Sequence, residues 1–202
     1  LIGSIPTAFL VGRVKGVDVR KVGSGNMGAT NVYRTLGAWP AAIVLLIDAA
    51  KGAVAAALLP RLAGLEPATW GILFGVVSMV GHSRPIFLGF KSGGKGVASA
   101  AGIFAALSPV AFAAGLTGFV LVLAVTRYVS LGSLVAATIL PIASAATHGL
   151  KSPMFAGALA VTVFVYWSHR ANIGRLRRGE ERRLGRPGSE PGGGREARGA
   201  RR

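Results

Sequence analysis

Apolar residues recur in blocks along almost the whole chain, broken by prolines, glycines and short polar segments. Residues 1–12 read as the end of a first helix, which is expected to begin upstream because the chain opens at Leu1 and not at Met. Residues 38–59 suffice to cross a bilayer, since about 20 residues span the hydrocarbon. An apolar stretch at 68–81 continues toward Phe90, a short one follows at 97–107, and others occupy 109–125, 131–147 and 153–168. The pattern predicts an all-α, polytopic transmembrane helical bundle of about seven helices, some of them short, tilted or re-entrant.

Composition agrees with that reading. Of 202 residues, 51% are hydrophobic and 15% charged, whereas a soluble surface needs roughly 25–35% charged residues. The 30 glycines, with many alanines, suit close helix packing in lipid. Zero cysteine excludes disulfides, thiol catalysis and cysteine-ligated metals.

The net charge of +16 is distributed unevenly. With the N-terminus outside, twenty of the 23 Lys and Arg residues fall in segments assigned to the cytoplasm. They lie at 13–37, at 82–96, at Arg127, and in the eleven-residue basic set from Arg170 to Arg202. Only Arg61 and Lys151 lie outside, and Lys51 lies within a helix. This positive-inside bias sets the orientation. Basic clusters flanking a membrane helix face anionic lipid headgroups, so lipid and not nucleic acid is the expected partner. Residues 1–185 are expected to form the integral membrane domain, and 186–202 a disordered Arg/Gly/Pro-rich cytoplasmic tail.

Three polar runs stand out, all on the predicted cytoplasmic side. The first is Gly23-Ser24-Gly25-Asn26-Met27-Gly28-Ala29-Thr30-Asn31, closed by Arg34. Glycines let backbone N–H groups approach an anion, and Ser24, Asn26 and Arg34 supply directed donors. The second is Gly81-His82-Ser83-Arg84-Pro85 followed by Phe90-Lys91-Ser92-Gly93-Gly94-Lys95-Gly96-Val97. Gly93, Gly94 and Gly96 around Lys95, opening into an apolar helix, resemble a phosphate cradle. Gly89 to Lys95 even fits G-x-x-x-x-G-K, but Gly96 stands where a P-loop carries its magnesium-binding Ser or Thr, so nucleotide hydrolysis is rejected. The third is His169-Arg170-Ala171-Asn172-Ile173-Gly174-Arg175-Leu176, then Gly179-Glu180-Glu181. If the helix continues, i, i+3 spacing puts His169 and Asn172 on one face.

Asp48 and Lys51, three apart inside a span, are expected to neutralise each other at a helix interface. Ser130 and Ser133 start a helix; Ser130 reads as a cap, Ser133 as a cap or a ligand contact. The acids are too few for a catalytic triad or a metal cluster, and no cofactor is expected. A transporter of organic phosphates would need outer polar motifs, which are missing. A CDP-alcohol phosphotransferase would need clustered aspartates, which Asp18 and Asp48 cannot provide.

Taken together, the three runs resemble the bacterial membrane-bound glycerol-3-phosphate acyltransferases that use acyl phosphate as donor, in family order and over nearly the whole chain to about Gly185. Ser92 is an extra residue before the glycine turn, and Ser99 stands where Thr is usual. The resemblance implies acyl transfer to the 1-hydroxyl of sn-glycerol 3-phosphate at the cytoplasmic side of a bacterial inner membrane, giving lysophosphatidic acid and phosphate. It implies that Ser24, Asn26, Arg34, Lys95 and Asn172 bind glycerol 3-phosphate. His169, Asn172, Ser133 and the Gly93, Gly94 and Gly96 turn would hold or polarise the acyl-phosphate head. Glu181 would pair with an arginine to shape the site. The implied partners are both substrates, membrane lipids and the soluble enzyme that makes acyl phosphate.

Overall fold

In the computed structural model the described residues, 1–91 and 93–185, are entirely helical apart from turns and loops. The expected tail, 186–202, and the extra Ser92 lie outside the described residues. A short 3-10 turn (Ile2–Ser4) leads into α1 (Thr7–Val14), followed by α2 (Ala29–Leu36) and α3 (Ala38–Ala53). A π turn (Val54–Leu58) joins α3 to α4 (Leu59–Leu62), giving one 25-residue helix, Ala38–Leu62. Then come α5 (Pro67–Ser83), a 3-10 turn (Ile86–Leu88), α6 (Val97–Leu107), α7 (Pro109–Thr126), α8 (Val129–His148), α9 (Pro153–Ser168) and α10 (Arg170–Arg177).

The local sequence explains several boundaries. Pro67, Pro109 and Pro153 start helices, where a missing N–H costs nothing. The Glu66 carboxylate accepts from the N–H groups of Ala68 and Thr69, and the Ser152 hydroxyl from that of Phe155.

All seven expected apolar stretches are helical, and they differ in length. Four helices among the described residues are long and apolar enough to cross a membrane: Ala38–Leu62, Pro67–Leu88, Pro109–Thr126 and Val129–His148. Ile2–Val14, Val97–Leu107 and Pro153–Ser168 are apolar but shorter. The other two helices, α2 and α10, are polar; α2 rises from a run that the sequence presents as a loop.

The short α6 lies at the centre, against α3, α5 and α7. Its Ile103 and Phe104 are fully buried with Met79, Ala158, Val161 and Val165. Glycine allows backbone-to-backbone contact here: a Cβ on Gly52 would collide with the Ser99 carbonyl, and one on Gly102 with that of Ala49. A second core of Ala8, Val19, Met27, Val32, Ala41 and Val44 lies beneath the first polar run, which Met27 plugs into the protein. Leu46, Val77, Val120, Leu121, Val125, Ile142 and Val163 are exposed, as expected of a multi-pass membrane protein whose outer face meets lipid.

Gly102→Ala should therefore overpack the α3–α6 contact, at a cost of about 1–3 kcal/mol. At Gly115 an added carbon would meet Leu140 at 3.4 Å and the Ala136 carbonyl at 3.5 Å, ordinary contacts. Thermal unfolding of both alanine variants in detergent checks this: a clear fall is expected for Gly102→Ala and little change for Gly115→Ala.

Candidate active site

The three polar runs converge at one end of the bundle, where α5 and α9 finish and α6 and α8 begin. Asn26 of the first run donates through Nδ2 to the carbonyl of Gly93 at 3.3 Å. Gly94 donates its N–H to the carbonyl of His82 at 3.2 Å, and Ser168 its hydroxyl to the carbonyl of Lys95 at 3.2 Å. The glycine turn is thus held by the first run, α5 and α9 together. Gly93 is pressed against the Ser83 carbonyl and Gly94 against the His82 ring, so neither has room for a Cβ; Gly96 has a φ of +81°. The glycines are required by this packing as well as by any ligand.

From the turn, Lys95 donates through Nζ to Asn172 Oδ1. Asn172 Nδ2 donates to Glu181 Oε1 at 2.6 Å, and the same oxygen accepts from Ser130 Oγ at 2.8 Å. Glu181 Oε2 pairs with Arg175 Nε at 2.7 Å, the arginine partner expected for this acid. Burial alone would raise the Glu181 pKa, but the hydrogen bonds from Asn172, Ser130 and Arg175 outweigh it and hold the carboxyl below its ordinary range. Arg34, half-buried on α2, donates through Nη2 to the carbonyl of Arg182 at 3.2 Å. Its pKa is lowered by burial and by Arg182 and Arg175, with Glu181 acting in the opposite sense.

Lys95 and His169 are both displaced from their usual protonation. Burial, with Arg175 and Arg34 nearby, pushes Lys95 down to about 8 despite Glu181. Burial and the Lys95 charge push His169 down to about 4, so its imidazole is neutral at pH 7. Its Nδ1 lies 2.8 Å from the Val165 carbonyl. A carbonyl only accepts, so Nδ1 carries the proton and Nε2 the lone pair.

Other expected residues lie at the margin. Ser24 is exposed, and its N–H donates to Asn31 Oδ1 at 2.8 Å. Asn31 is the internal clamp of this loop, donating also to the carbonyls of Val19 and Val22. Ser133 is buried and donates to Val129 of its own helix at 2.9 Å. The expected capping by Ser130 is not seen: Tyr128 is the N-cap of α8, and the Ser130 hydroxyl is spent on Glu181. The sequence assigns Arg175, in the third run, no role and does not single out Arg182, although Arg175 continues the i, i+3 spacing of His169 and Asn172. Away from the carboxylate, Asp48 and Lys51 pair at 2.7 Å as expected, with His82 beside them.

Among the described residues, Arg34, Lys95, Arg175 and Arg182 thus gather around one carboxylate, Glu181. This excess of positive charge, beside backbone N–H groups and a buried amide, suits an anion with several oxygens.

Known proteins give the same direction. The family model described as glycerol-3-phosphate acyltransferase matches residues 1–179. A glycerol-3-phosphate acyltransferase of Geobacter sulfurreducens is 46% identical over 185 residues, covering 91% of this chain and 93% of that protein. Glycerol-3-phosphate acyltransferase 1 of Deinococcus radiodurans is 48% identical over 190 residues, covering 92% and 91%. The crystal structure of PlsY (YgiH), an integral membrane glycerol 3-phosphate acyltransferase, in its glycerol 3-phosphate form superposes with a TM-score of 0.84. Identity there is 36%, over 92% of this chain and 91% of that one. Its lysophosphatidic acid form gives a TM-score of 0.82 at 35% identity.

The Glu181 geometry predicts an acid-sensitive fold. A carboxyl whose pKa is depressed by folding contributes stability above its ordinary value of 4.5, lost as pH falls through the lower folded value. Melting temperature should therefore fall with acidification below about 4.5, and Glu181→Gln should lower the neutral-pH value and flatten that slope; thermal unfolding across pH tests both.

Proposed function

The chain belongs to the glycerol-3-phosphate acyltransferase family, and we propose that it moves a fatty acyl group from acyl phosphate to the 1-hydroxyl of sn-glycerol 3-phosphate, releasing lysophosphatidic acid and phosphate. The supporting observation is the gathering of Arg34, Lys95, Arg175 and Arg182 around Glu181 beside the glycine turn. Two phosphorylated substrates repel each other, and a site with surplus cations offsets that repulsion. The positive-inside bias supports a cytoplasmic position for this end of the bundle; in this reading the membrane is a bacterial inner membrane and the acyltransferase unit is residues 1–185.

In this reading Arg34, Lys95 and Asn172 bind glycerol 3-phosphate, with Ser24 and Asn26 at the rim of the same pocket. The turn at Gly93, Gly94 and Gly96 holds the acyl-phosphate head, together with His169 and Asn172. Ser133, expected to join them, bonds Val129 of its own helix and would have to turn from it to reach the donor. The hydroxyl oxygen of glycerol 3-phosphate bonds to the acyl carbon as the acyl carbon–phosphate oxygen bond breaks. The hydroxyl proton passes to a substrate phosphate oxygen, because a His169 with a pKa near 4 is a weak base. Acyl phosphate is a mixed anhydride with a good leaving group, so no acyl-enzyme is needed. Orientation supplies roughly 7–11 kcal/mol of barrier reduction, and each donor at the developing oxyanion about 3 kcal/mol. Glu181 keeps Asn172 and Arg175 in place.

The direct test is lysophosphatidic acid formation by purified full-length protein in lipid, with glycerol 3-phosphate and palmitoyl phosphate, palmitoyl-CoA or palmitoyl carrier protein offered separately. Product from palmitoyl phosphate alone is expected; product from a thioester alone would overturn the donor. A second test is the pH profile. Lys95 is charged below about 8 and loses that charge as pH rises, so kcat/KM for glycerol 3-phosphate should fall above pH 8. In Lys95→Arg, whose guanidinium stays charged, that alkaline fall should disappear whatever the residual rate.

A further inference from the structure

The segment after α10 enters the site at Glu181 and Arg182 but is fastened by residues that the chemistry above does not use. Gly179, at a φ of +70°, ends the helix, and the Glu180 N–H turns back to the Arg175 carbonyl at 2.8 Å. Residues 180–184 then run to the corner between α7 and α8, where the Leu184 N–H donates to the Arg127 carbonyl at 2.8 Å. The Arg183 guanidinium lies over the Tyr128 ring, 5.1 Å from its centroid, and its Nε donates to the Tyr128 hydroxyl at 3.2 Å. Arg127 itself has a φ of +61°. That conformation is unfavourable for a residue with a side chain and is kept only where the surroundings require it; here it turns the Arg127 carbonyl to Leu184.

Arg182 lies between two anchorages. On one side Glu181 is held by Ser130, Asn172 and Arg175; on the other stand Arg183 and Leu184. The Arg182 carbonyl and the Arg183 N–H belong to one planar peptide group, so holding Arg183 fixes where that carbonyl points. The same carbonyl accepts from Arg34 Nη2 at 3.2 Å, and the guanidinium fork keeps further donors for an anion. We propose that residues 180–184 form a strap in which Tyr128 and Arg183 are positioning residues: through the Arg182 carbonyl they hold the Arg34 guanidinium in place for the phosphate of glycerol 3-phosphate. The inference rests on the reading that Arg34 binds that phosphate. A fastening can change affinity by no more than the factor by which it favours the competent form. For an exposed contact between a cation and a ring that factor is about two to five.

The test uses full-length protein in lipid, with KM for glycerol 3-phosphate and for palmitoyl phosphate measured separately. Tyr128→Leu removes the ring without removing a charge. Its KM for glycerol 3-phosphate should rise about two- to fivefold, with kcat and the KM for palmitoyl phosphate nearly kept. Tyr128→Phe, which keeps the ring, should recover most of the loss. A folded Tyr128→Leu protein with unchanged KM values, or with an equal rise for both substrates, would overturn the strap. Calorimetric binding of glycerol 3-phosphate without donor then asks whether the effect passes through Arg34. Arg34→Lys should bind more weakly, and adding Tyr128→Leu should weaken it no further; fully additive losses would overturn the link to Arg34. An Arg34→Lys protein that binds as tightly as wild type would instead remove the reading of Arg34 on which the link rests. If Tyr128→Leu does not fold, Arg183→Gln is compared with wild type at high salt, where distant charge is screened. It must then show the same rise confined to glycerol 3-phosphate, and its absence overturns the proposal.

Discussion

Glu181 accepts hydrogen bonds from Ser130 on α8 and from Asn172 and Arg175 on α10, and the geometry of the site depends on this carboxylate. Around it stand cations that would otherwise repel one another and drift toward water. A carboxylate with three donors is a strong, directional acceptor, so it fixes where the cations sit and the orientation of the Asn172 amide. Lys95 then reaches Asn172 from the glycine turn. Arg34 reaches the same region from α2 by binding the carbonyl of Arg182, next in sequence to Glu181. The acid neutralises only part of the charge, which leaves an unmet demand for anions at a fixed place.

That arrangement requires rigid ground beneath it, and the membrane helps to supply it. Lipid offers no hydrogen bonds, so the helices keep their backbone groups satisfied internally and approach closely where glycine permits. The contacts of Gly52 with Ser99 and of Gly102 with Ala49 lock α3 to α6, and α6 begins at the glycine turn. The chemistry is thus mounted on a central helix that the longer helices surround.

Much of this was legible in the chain. The apolar blocks announced the helices, and the three polar runs announced a shared site, because glycines, amides and cations are wasteful in a membrane loop. Asp48 and Lys51 announced their pairing by their spacing within a span. The helix lengths were less legible: helices of eleven or sixteen residues are as apolar as the longer ones, and composition alone does not mark where each ends. The short α2 was hidden because glycines precede it and, in eight residues, its apolar stripe of Ala29, Val32 and Leu36 is too brief to announce a helix. Ser130 looked like a cap because position alone suggests capping, whereas its partner lies 51 residues away. His82 was invisible as a contact of Gly94, since nothing local connects the end of α5 to a turn twelve residues later.

The unequal lengths of α6 and α7 carry a further consequence. Both have one end near the site, at Lys95 and at Arg127, and they join at Ser108. With 11 residues against 18, α6 falls short of α7 by about 10 Å at a rise of about 1.5 Å per residue. The Lys95 turn is therefore recessed below the rim marked by Arg127, by roughly the depth of a headgroup layer. Traffic at such a well divides by phase. A small soluble phosphate ester descends from water and is limited by three-dimensional diffusion. Anything with a fatty chain arrives and departs sideways through the bilayer, at a rate governed by its surface density and not by its bulk concentration.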